Sequence, residues 1–287
     1  MRLGVCGMVP DDFRDINDSH LNAIRELNLT AVAFHGNGDA LQDVTSEECN
    51  GVRKKIAAAD LDLPQFGIGF PECLFDPEES VIKHVLSKIE RGIEVGSMLG
   101  AHNTLIRTGS LNPAGSYSPW RENHASDSYK RLLDTLSVVA CKAETEGTTI
   151  VIETHILTIM NSPETNVKVV ADIGSERIRI VMDFVNHFQT LAQVFESTDR
   201  INHIFNTMGS ISPVGHVKDI RADSGLVLHL NEEIPGEGEL DIATALQRWH
   251  EFQPDGYMLL EHLPTEKYPR ASDNVHRIAR EAGVEIH

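Results

Sequence analysis

The chain has 287 residues, 41% of them apolar, and its 43 acidic residues against 25 basic ones leave a net charge of −18. That balance excludes a polyanion partner such as nucleic acid, which needs a basic surface, and is read as a means of solubility. No apolar run approaches the roughly 18 residues of a membrane helix. Met1-Arg2-Leu3 leads straight into a strand with no signal peptide, and four scattered cysteines (Cys6, Cys49, Cys73, Cys141) without a Cys-x-x-Cys pair fit reduced thiols in the cytoplasm.

In chain order, Arg2–Met8 reads as the first strand, and Leu21, Ile24 and Leu27 mark one face of a helix behind it. Leu29–His35 is the second strand, ending in the loop His35-Gly-Asn-Gly-Asp39. Thr45-Ser-Glu-Glu48 is a capping box that opens the next helix. The third strand is Leu63–Gly69; after it, Asp76-Pro77-Glu78-Glu79 supplies an N-cap, a first-turn proline and early acids for a helix carrying Val81, Val85, Ile89 and Ile93. The fourth strand is Asn103–Ser110, followed by a long polar loop to about Ser126 with Tyr117, Trp120, Arg121 and His124. A helix through Leu132, Leu136 and Val139 stops at Gly147, a left-handed cap.

The fifth strand, Thr148–His155, is a short β-branched run, as buried parallel strands are. It ends in Glu153 and His155, which alternation puts on one face. The design recurs downstream. The sixth strand ends at Asp183, the seventh (Val214–Lys218) carries His216 and Lys218, and the eighth (Tyr257–His262) ends in Glu261 and His262; a second loop, Arg221–Glu239, separates the last two. Eight strands alternating with helices, with no linker between them, predict an α/β fold of a single (β/α)8 barrel spanning residues 1–287. A doubly wound sheet ranks well below, because no Gly-x-Gly-x-x-Gly follows the first strand and the acids fall on late strands.

In a barrel, strand carboxyl ends hold the active site. Glu153, Asp183, His216 and Glu261 would meet there as an oxygen-rich set suited to one divalent cation, Mn²⁺ first, with Mg²⁺ or Co²⁺ as alternatives. A lone strand-end acid usually caps the next helix, and a lone histidine usually belongs to the core; four in series outweigh that. This ordered set, with Ile-Glu-Thr-His at 152–155, His-Val-Lys-Asp at 216–219 and Pro-Gly-Glu-Gly-Glu-Leu-Asp at 235–241, resembles the xylose-isomerase-like barrels over nearly the whole chain. That family includes sugar isomerases and epimerases, inosose and dehydroshikimate dehydratases, and the endonuclease IV group.

The resemblance implies a small carbohydrate substrate, with Glu153 and Glu261 as the two proton-transfer groups of an isomerase or epimerase working α to a carbonyl. His155, Lys218 and Arg107 occupy places that the related dehydratases use, which raises β-elimination from a keto-sugar, keto-glycoside or keto-inositol as the alternative. Asn186 stands where the ketose 3-epimerases have histidine, and Arg221 matches their downstream arginine only approximately. Arg107, Asn186, Trp120 and Arg221 are candidate substrate contacts; for Arg107 the plainer reading is an ion pair with a ligand acid, for Asn186 loop chemistry, and for Trp120 and Tyr117 packing of their own loop. The endonuclease branch needs three zinc ions and further histidines, which the chain lacks at Asn186 and at the end of the third strand. A homo-oligomer or a partner subunit stays open.

Overall fold

A computed structural model describes residues 1–287. Eight parallel strands close into a barrel: β1 (Arg2–Cys6), β2 (Ala31–Asn37), β3 (Gln65–Gly69), β4 (Asn103–Arg107), β5 (Thr149–Glu153), β6 (Ile178–Asp183), β7 (Val214–Val217) and, after a two-stranded insertion, β10 (Tyr257–Leu260), which pairs with both β7 and β1. The eight-stranded barrel expected from the sequence is therefore the fold. Several strands are shorter than their apolar runs suggest. β1 stops at Cys6, β4 at Arg107, β5 at Glu153 and β10 at Leu260, so His155, Glu261 and His262 lie just past the ladders. β2 runs on through His35 to Asn37.

Alternation along each strand sorts two apolar populations. Ile150 and Ile152 of β5 point out and join the large core between sheet and helices, each losing all its exposure, which contributes about 1.5–3 kcal/mol per side chain. Val151 points into the lumen. There it joins Ala31, Ala33, Leu105, Val181, Val214 and Leu259 in a small apolar plug. Two residues further along the same strands come Glu153, Asp183, His216 and Glu261, so the polar layer stands directly above the plug.

The helices that return the chain start and stop where local chemistry dictates. Thr45 and Glu48 form the expected reciprocal capping box on α2 (Ser46–Ala58), and Gly147 ends α4 (Ser126–Glu146) with a φ of 68°. The cap expected at Asp76 is a correction. α3 runs Glu79–Leu99 with Glu78 at its N-cap, and the Asp76 carboxylate accepts from the Glu78 N–H before the helix begins.

The stretch read as a plain loop at 221–239 is also corrected. It contains an antiparallel hairpin, β8 (Asp219–Ala222) with β9 (Leu230–Glu233). Asp219, fully buried at its root, accepts N–H groups from Ile220, Gly236, Gly238 and Leu240 at 2.8–3.1 Å. A side chain at 238 would collide with it, since a Cβ there would lie 2.2 Å from Asp219 Oδ1.

Candidate metal centre and cavity

Ligand-capable atoms of Glu153, Asp183, His216 and Glu261 all lie within 4.8 Å of one another, and all four residues are buried. Buried carboxylates need partners. Lys218, itself buried, supplies one: its Nζ is 2.6 Å from Asp183 Oδ2 and 2.9 Å from Glu261 Oε1. Asn186 completes this outer ring, donating to Asp183 Oδ2 at 2.8 Å and accepting from Lys218 at 3.2 Å. Asn186 thus holds Asp183 in place from the side.

One inner oxygen is left without a donor: Asp183 Oδ1 is buried with no hydrogen bond. His216 Nε2–H donates to Gln65 Oε1 at 3.1 Å, which turns Nδ1 toward the acids. That nitrogen faces Glu261 Oε1 at 3.0 Å and Asp183 Oδ2 at 3.5 Å. Lone pairs facing lone pairs repel unless a proton or a cation lies between them, and this donor set fits a hard divalent cation. Burial alone would lower the His216 pKa, but Glu261 and Asp183 outweigh it and raise it to about 10.

The two glutamates are driven apart. Burial, then the charge of Glu261, pushes the Glu153 carboxyl above its usual range. Burial acts the same way on Glu261, but His216 and Lys218 overcome it and hold that carboxyl well below. Both line one cavity of about 690 Å³ at the carboxyl end of the barrel, together with Arg107, His262 and His35.

The remaining candidates divide. Arg107 Nε is 3.7 Å from Glu153 Oε2, and its guanidinium lies over the Tyr117 ring and donates to the Tyr117 hydroxyl. Tyr117 folds back from the 110–126 loop and meets His155 edge-on at a centroid distance of 6.0 Å. His155 Nδ1 accepts from the Leu157 N–H, and burial lowers its pKa. Trp120 stays on the outer part of its loop, 42% exposed, and does not line the cavity. Arg221 faces the hairpin, pairing with Glu233 at 3.3 Å and donating to the Glu237 carbonyl.

Three contributors were not picked out as site residues in the sequence. Gln65 begins β3 and carries no local signal. Glu232, on β9, reaches His262 Nδ1 at 2.8 Å and approaches Lys218 Nζ at 3.9 Å. His262 has a left-handed φ of 57°, a backbone cost on the order of 1–2 kcal/mol for a non-glycine residue.

The sequence profile described as a xylose isomerase-like TIM barrel matches residues 21–282. No curated protein matches the chain. Among solved structures, 3-keto-D-glucoside 4-epimerase from E. coli is similar, with a TM-score of 0.71 at 17% identity over 96% of this chain and 99% of that one. D-psicose 3-epimerase superposes with a TM-score of 0.74 at 15% identity, covering 98% and 99% of the two chains. A xylose isomerase-like TIM barrel protein from Mycobacterium smegmatis, in complex with magnesium, gives 0.71 at 14% identity over 98% and 96%. No helix is long and apolar enough to cross a membrane.

Proposed function

We propose, for a chain that belongs to the xylose isomerase-like TIM barrel family, that it is a divalent-cation-dependent carbohydrate enzyme of the isomerase or epimerase type. The observation that carries this reading is the buried cluster of Glu153, Asp183, His216 and Glu261, of which Glu153 and Glu261 line one cavity. The two glutamates take the proton from the carbon next to the substrate carbonyl and return one. Return to the other face of the same carbon is epimerisation; return to its neighbour is isomerisation.

Glu153, Asp183, His216 and Glu261 would hold the cation, with Mn²⁺ the first choice and Mg²⁺ or Co²⁺ as alternatives. Bound there, it supplies Lewis acidity, polarising a carbonyl oxygen and offsetting negative charge that develops beside it. The buried, unpartnered Asp183 Oδ1, set beside His216 and the two glutamates, supports this. Similarity to an epimerase of 3-keto-glucosides and one of psicose supports a keto-sugar substrate.

The second reading is β-elimination. His155, less basic than usual and close to Tyr117, which Arg107 holds, favours it, because it is a third group able to move a proton. One experiment separates the two. Keto-sugars are incubated in D₂O with Mn²⁺, using wild type and His155→Ala. Solvent deuterium at one carbon, no unsaturated product, and a His155→Ala loss on the order of tenfold, about 1.4 kcal/mol, fit the epimerase or isomerase. An unsaturated product and a loss on the order of 10²–10⁴-fold fit the lyase. No turnover of any keto-sugar, or full activity after chelation, would sink both.

A further inference from the structure

The cavity lining has two parts. One carries Glu153, Glu261 and Arg107; the other is formed by the ends of β1, β2 and β3 and includes His35. His35 follows Ala33 on the lumen-facing side of β2, so its imidazole stands one layer above the apolar plug. Its registered neighbour on β3 is Gly67. Gly67 does not have a positive φ, so the backbone does not require glycine there. The imidazole does. A Cβ on residue 67 would lie 2.0 Å from His35 Cδ2 and 2.5 Å from His35 Nε2.

The other histidines around the site have protein partners: His155 the Leu157 N–H, His187 the Thr154 hydroxyl, His216 the Gln65 amide, and His262 the Glu232 carboxylate. His35 has no protein hydrogen bond. Burial, then the nearby charge of Arg107, lowers its pKa to about 4, so near neutral pH the ring offers one N–H donor and one bare acceptor. The ring is half-buried and lines the cavity, so whatever meets its nitrogens there comes from outside the chain.

We propose that His35 is a specificity-determining residue that binds a substrate hydroxyl on the β1–β3 side of the cavity. This rests on the function proposed above for the same cavity. An imidazole with one donor and one acceptor matches hydroxyls, each of which both donates and accepts. A site built to hydrogen-bond a hydroxyl also discriminates strongly against an analogue that lacks it.

The test is calorimetric titration of the Mn²⁺-loaded protein with D-fructose, D-psicose, methyl 3-keto-D-glucoside and the deoxy forms of each lacking one hydroxyl. The expected result is binding by wild type, a loss of roughly tenfold or more in His35→Ala, and a similar loss in Gly67→Ala, whose added methyl displaces the ring. His35→Gln, which keeps a donor and an acceptor, recovers part of the affinity. The penalty that wild type shows for one of the deoxy sugars disappears in His35→Ala, while bound Mn²⁺ is unchanged in every variant. Equal affinity of wild type and His35→Ala overturns the inference even if wild type exchanges deuterium into the sugar. Absence of binding by wild type overturns it too. The expected binding pattern without any deuterium exchange or product would keep the inference and sink the proposed function.

Discussion

Gln65 shows what a single residue contributes beyond the candidate ligands. It does not line the cavity that Glu153 and Glu261 share, yet its carbonyl oxygen holds His216 Nε2–H and so turns Nδ1 toward the acids. Its own amide nitrogen is buried without a partner. Gln65→Leu, close in shape, removes that orphan donor but also strips the buried His216 N–H of its acceptor, so thermal stability of the cation-free protein should stay level or fall, by about 1–3 kcal/mol at most. Affinity for Mn²⁺ should fall on the order of 10- to 100-fold, as when groups that orient a ligand histidine are lost; competition with a metallochromic chelator measures it. A gain or no change in affinity would remove Gln65 from the site. Nothing in the sequence marks Gln65, because the partner that gives it meaning lies 151 residues away. Glu153, Asp183, His216 and Glu261 were legible because each ends an apolar run, a local pattern repeated four times. The ion pair of Arg107 with Glu153 is the plainer of the two readings its position allowed, and it coexists with a place on the cavity wall.

Among elements, the β8–β9 hairpin is the one that local pattern missed. Leu230-Asn231-Glu232-Glu233 has too little apolar alternation to read as a strand, and the element is held at its root by Asp219. Asp219→Ala leaves four backbone N–H groups without their acceptor, at about 1–3 kcal/mol for each one that stays dry. The expected outcome is local: faster amide exchange across 219–240, with protection of β1 to β6 retained. Uniform loss of protection over the barrel would show instead that Asp219 belongs to the global core. Misplacing the start of α3 at Asp76 has a similar local cause. An aspartate that accepts from the N–H two residues on is written the same way in sequence whether or not a helix follows at once.

At the scale of the whole molecule, the barrel was legible because strand and helix periods alternate eight times, while the polar interior was not. His187 is such an interior group, fully buried behind Asp183, with Nε2 against the Thr154 hydroxyl and Nδ1 unpartnered. Burial lowers its pKa from the usual 6.5 to about 4. The unfolded chain therefore binds this proton first on acidification, and stability is lost as pH falls from 6.5 through 4. A pKa displaced that far is worth on the order of 3 kcal/mol. Urea unfolding at a series of pH values should show stability rising with pH across that window, with a shallower slope in His187→Gln. An unchanged slope would mean that His187 is not held neutral in the folded protein.

The chain's order along the barrel has a consequence for how such a molecule can change over generations. The four acid-cluster residues come from β5, β6, β7 and the residue after β10, whereas the other part of the cavity lining, with Cys6, His35, Asn37 and Gly69, comes from β1 to β3. The acid cluster and the rest of this lining are thus encoded in separate stretches of the gene. On the roles proposed above, an exchange of the first half between two such barrels, joined in the helix between β4 and β5, would transplant that lining and leave the four acid-cluster residues together, so long as the incoming half brings its own Gln65 and Arg107. A change of specificity then takes one recombination rather than a series of separate substitutions.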